Sequence, residues 1–81
     1  RRRQRLKPLT DKVRGIEAQL ARLRTELEAL DERLADTRLY SEDGRAEELQ
    51  QLLRDQSDRK SEIQTLEWDW LEASEALESA N

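Results

Sequence analysis

The first fourteen residues carry seven cations, Arg1, Arg2, Arg3, Arg5, Lys7, Lys12 and Arg14, against the single carboxylate of Asp11. Guanidinium and ammonium groups neutralise phosphates with little demand on geometry, so this run is the candidate nucleic-acid contact. The other end of the chain is its opposite: residues 61–81 hold Glu62, Glu67, Asp69, Glu72, Glu75 and Glu78 with no lysine or arginine. An overall charge of −4 makes a uniformly basic binding surface an unlikely design and confines the expected phosphate contact to the basic start. Two aromatic residues are candidate partner contacts: Trp68, which falls outside the apolar pattern of its segment, and Tyr40, which sits in a polar connection.

Other chemistry is scarce. With no Cys and no His, the chain lacks thiolates, disulfides, the commonest metal ligand and the commonest general base. Gly15 and Gly44 are its only glycines, too few for a phosphate-cradling loop. No catalytic residue, metal or bound cofactor is therefore expected within these residues. No apolar run approaches the roughly 20 residues that a membrane span requires, and no apolar core follows the basic start as it would in a signal peptide. The expected location is cytoplasmic, with no membrane partner. A chain that starts at Arg1 and contains no Met reads as a piece of a longer protein.

The elements that must position these groups follow from apolar spacing. Leu6, Val13, Leu20, Leu27 and Leu34 occupy heptad position a, and Leu9, Ile16, Leu23 and Leu30 occupy d, an unbroken aliphatic seam. In a second segment a holds Leu49, Gln56, Ile63, Trp70 and Leu77, and d holds Leu52, Arg59, Leu66, Ala73 and Ala80. The predicted fold is all-α, a two-helix antiparallel coiled-coil hairpin. Residues 1–7 are expected to be a basic linker or arm, because Pro8 suits a first helical turn. Helix one then covers about 8–36, a loop 37–44, and helix two about 45–79.

One antiparallel register places Leu34 beside Leu49, Leu30 beside Leu52, Leu20 beside Ile63, Ile16 beside Leu66, Val13 beside Trp70 and Leu6 beside Leu77. Gln56 and Arg59 then face Leu27 and Leu23, covering them with their stems, with Asp55 one turn before Arg59 to hold its guanidinium. This reads as a polar layer that fixes register. Flanking charges match only in part: Arg33 faces Glu48 and Lys12 faces Asp69, but Glu17 faces Glu67 and Arg24 faces Lys60. Ser41 or Asp43 is expected to cap helix two, with Glu47 and Glu48 in its first turn. Leu39 and Tyr40 are expected to fold over the open end of the seam.

The start Leu6-Lys7-Pro8-Leu9, the connection Ala35-Asp36-Thr37-Arg38-Leu39-Tyr40 and the segment Glu67-Trp68-Asp69-Trp70-Leu71-Glu72-Ala73 together resemble a known family. The chain looks like the C-terminal coiled-coil domain of the ABC-F subfamily of ATP-binding-cassette ATPases, most similar to its YheS-type bacterial members, over nearly its whole length. The resemblance implies a cytoplasmic parent protein with two tandem ATPase domains upstream, to which ATP and magnesium belong, and a role on the ribosome in translation. It implies for this segment an accessory arm that contacts nucleic acid, RNA or DNA, or the ribosome. It also implies that Leu39 and Tyr40 close the tip and that Trp70 packs in the seam.

The competing expectation is a protein-interaction or spacer module that docks on its own ATPase domains or self-associates, using Trp68 and the polar layer. A monomer is expected, with pairing of two hairpins into a four-helix bundle as the physical alternative.

Overall fold

In the computed structural model the backbone of residues 2–80 and the side chains of residues 5–80 are described. Those residues form three helices and no strand: α1 (Arg2–Leu34), α2 (Arg38–Ser41) and α3 (Ala46–Ala80). The molecule is elongated, with extents of 64 × 15 × 14 Å. A helix of 33 residues is about 50 Å long. Laid side by side, the two long helices account for about 50 Å of that length.

Contacts between α1 and α3 climb one helix as they descend the other. Arg33 meets Glu48, Gln56 Nε2 donates to Asp31 Oδ1 at 2.7 Å, Arg59 Nε lies 3.2 Å from Glu26, and Trp70 Nε1 donates to Glu17 Oε2 at 3.3 Å. The buried core sits midway along, where Ile16, Leu20 and Leu23 of α1 meet Ile63 and Ala73 of α3, with Val13, Leu27, Leu66 and Trp70 packed against them. Leu23 is the most enclosed, at 2% exposed. Every expected a and d residue from Leu6 to Leu77 is buried or half-buried.

Regular helix starts at Arg2, six residues ahead of Pro8, instead of at Pro8 itself. A proline in the fourth or later helical position removes one ladder bond, but its fixed φ is helical, so the chain ahead of it can wind on at a cost of about 3 kcal/mol. The expected loop also holds a turn of its own, α2, and α1 ends at Leu34.

The tip is built from short-range bonds. Asp36 Oδ1 accepts the backbone N–H of Arg38 at 3.0 Å, an Asx turn that starts α2. Its carboxylate also receives the Arg38 guanidinium through Nε at 3.1 Å and Nη2 at 2.9 Å. That fork holds the Asp36 carboxyl at about 2, down from an ordinary 3.8, and the first cause is the side-chain bond from Arg38. Gly44 turns the chain into α3 with φ of +83°, a conformation that a Cβ would strain.

Leu39 covers the end of the seam as expected, at 3% exposed, but Tyr40 does not: its ring is 59% exposed. What Tyr40 contributes is its hydroxyl, which donates to the Leu34 carbonyl at 2.7 Å and satisfies one of the orphan acceptors at the end of α1. Ser41, an expected cap of α3, instead closes α2, its hydroxyl donating to the Thr37 carbonyl at 3.3 Å. Glu47 and Glu48 do lie in the first turn of α3.

Candidate functional site

Two sites are in question, the basic start of α1 and the groove beside Trp68. Of the basic run, Arg1 lies outside the described residues, and Arg2 and Arg3 are described only as helical backbone. The side chains of Arg5, Lys7, Lys12 and Arg14 are all exposed. Helical geometry divides them: residues seven apart share a face, so Arg5 and Lys12 flank the seam while Lys7 and Arg14 point to the far side of α1. They form two short cationic rows, not one patch.

Lys7 is paired within its own helix, its Nζ 2.7 Å from Asp11 Oδ2. Among the described residues Arg5, Lys12 and Arg14 enter no ion pair, and the expected Lys12–Asp69 pairing does not form. The acidic end of α3 therefore leaves these three cations available to another anion.

The remaining cross-helix charges are better matched than face-to-face alignment suggests. Arg24 reaches Glu67, at 3.9 Å, and not Lys60; Glu17 takes the Trp70 indole N–H, and not the carboxylate of Glu67. Side chains on a helix lean toward its N-terminus. Both partners lean, so they meet one to two turns from the residue directly opposite: three residues for Glu17 and Arg59, seven for Arg24.

The polar layer follows the same rule. Arg59 turns to Glu26, with Glu62 at 3.9 Å, while Asp55, the expected partner of Arg59, accepts from Gln51 Nε2 at 2.9 Å. Glu26 Oε2 and Arg59 Nε are shut off from water and make no hydrogen bond, so their 3.2 Å contact is ionic, with the N–H not aimed at the oxygen. Gln56 covers the seam as expected and adds the bond to Asp31.

The second site was only half visible in the sequence. Trp68 is 66% exposed and Leu71, one turn on, is 42% exposed. They border an open groove of about 690 Å³ between the long helices, lined also by Leu20, Trp70, Glu17, Arg24, Gln64 and Glu67. Heptad spacing places Trp68 outside the seam, but nothing in one helix shows that Leu20 and Trp70 of the seam floor a groove beside it. Tyr40, at the tip, is far along the chain from this groove and is not among its lining residues.

Among the described residues no three acidic, His or Cys side chains converge as metal ligands would, and no helix is long and apolar enough to cross a membrane. Comparisons with models of known families, with curated proteins and with solved structures find no match.

Proposed function

We propose that this chain is an antiparallel coiled-coil hairpin serving as the accessory C-terminal domain of a cytoplasmic ABC-F ATPase, and that its basic end contacts nucleic acid, as RNA or DNA, or the ribosome. ATP binding and hydrolysis belong to upstream domains of the parent protein. The observation that carries this reading is the exposure of Arg5, Lys12 and Arg14, in the first turns of a long helix, without ion-pair partners among the described residues. Three helical turns of cations on a stiff element track a phosphate backbone without reading its bases.

The test is fluorescence anisotropy with short RNA and DNA duplexes across a range of salt. Affinity should fall with added salt by a log–log slope of about 0.9 for each DNA phosphate neutralised. Replacing Arg1, Arg2, Arg3 and Arg5 with Ser should abolish binding to both, and affinity retained by that variant refutes the assignment.

A further inference from the structure

The groove beside Trp68 has a chemistry that the nucleic-acid reading does not use. Trp68 and Leu71 are one turn apart on the outer surface of α3, so their exposed faces adjoin, and the groove they border runs along both helices with Leu20 and Trp70 in its wall. The helical period surrounds Trp68 with Gln64 four residues before, Glu72 four after and Glu75 seven after, all exposed. Across the groove stands Glu17, held by the Trp70 indole at 3.3 Å. Among the lining residues Arg24 is the one cation, and it already lies 3.9 Å from Glu67.

An indole face ringed by carboxylates attracts cations and repels phosphates. It also disfavours a second copy, because a two-fold contact brings the same acidic face onto itself. We propose that this groove is a docking site for a basic amphipathic helix of a protein partner, whose apolar side chains pack on Trp68 and Leu71 and whose Lys or Arg side chains meet Glu72, Glu75 and Glu67. The groove is open and bounded by two helices over about two turns of each, the setting in which a third helix buries a short apolar stripe. Charge complementarity chooses the partner: the α3 surface from residue 61 onward contributes six carboxylates and no cation. This site adjoins the basic start of α1 at Arg14, one turn before Glu17, and is tested apart from phosphate contact there.

The experiment uses tryptophan fluorescence of the Trp70→Phe variant, which leaves Trp68 as the only indole in the chain. The probe is a synthetic helical peptide with Leu at every third and fourth position and Lys between. A saturable blue shift is expected, with affinity falling at least tenfold when Leu71 is changed to Ala and severalfold in the Glu72→Gln, Glu75→Gln double variant. In the wild-type background Trp68→Ala, followed by calorimetry, should remove binding while far-ultraviolet circular dichroism stays unchanged.

Equal binding by Leu71→Ala or Trp68→Ala would show plain charge attraction and overturn the proposal. So would equal binding of a peptide carrying Glu in place of Lys, a Trp68 shift produced by short RNA but not by the peptide, or a shift that depends only on protein concentration and so reports self-association. RNA binding that persists in Trp68→Ala leaves the basic-end reading untouched.

Discussion

Two stretches of the α1–α3 pair share one heptad register and differ in chemistry. Around Leu20 and Leu23 the seam is closed by Ile63, Leu66 and Ala73, with no polar atom among these side chains. Nearer the tip, α3 presents Gln56 and Arg59 at a and d; Gln56 donates to Asp31 across the seam and Arg59 forms an ion pair with Glu26. Apolar burial is non-directional: sliding one helix by a heptad along the other would still bring Leu27 onto Leu49 or Ile63. The polar layer tolerates no such slide, because it would move Arg59 from Glu26 to Gln19 or Arg33 and leave its charge unpaired. The middle of the seam stabilises the pairing and the polar layer selects its alignment.

The largest break is expected in the apolar stretch. Leu23→Ala should lower unfolding free energy by about 2–5 kcal/mol, seen as a shifted urea midpoint with little change in slope. A loss below about 1 kcal/mol would mean that the middle of the seam does not carry the pairing.

In the polar stretch Arg59→Ala should cost about 1 kcal/mol, because the partly exposed Glu26 carboxylate loses one of its two cations and keeps Arg22 at 3.5 Å. Replacing both Arg59 and Glu26 with Leu should be neutral or stabilising in the same assay. The comparison predicts a different loss there: cysteine pairs placed for the native and the heptad-shifted register should crosslink only in the native one for the wild type, and in both for the double variant. Crosslinking restricted to the native pair in both proteins would remove the register-setting role.

The smallest effect belongs to the Asp36–Arg38 pair at the tip, which is local to the turn and crosses between no two helices. The Asp36 carboxyl is held at about 2 in the folded chain, below its ordinary 3.8, so its contribution to stability is complete above the ordinary value and is lost as pH falls toward 2. Asp36→Asn should flatten that part of the stability–pH curve between about pH 4 and 2 and change nothing at pH 7 beyond the loss of the Asp36–Arg38 pair. The pair is exposed, so added salt should shrink the difference.

Much of this arrangement was legible in the residues. The 3,4 spacing identified both faces, and the summed positions of facing apolar pairs gave a single alignment, because burial acts on position along a helix and position is a property of sequence number. The misjudged details share a different origin. Arg24, Glu17 and Arg59 find partners one to two turns from the residues directly opposite, since long side chains lean toward their own N-termini and a position-by-position alignment ignores that lean. Tyr40 looks apolar enough to join Leu39 over the seam, yet its hydroxyl is drawn to an orphan carbonyl at Leu34, which exists only because α1 ends there. Pro8 marks a helix start by local preference, but a proline's φ also allows helix on its upstream side.

By itself, then, the sequence determined that this chain is helical, that its apolar stripes need each other, and that its charge is segregated to opposite ends of the chain, because each of these depends only on residue type and a fixed helical period. Which charges meet, which remain open to a phosphate or a peptide, and that Trp68 borders a groove and does not stand on a bare helix surface were decided by the tertiary structure. These depend on the offset between two helices and on how their side chains lean across it, and neither helix contains that information alone.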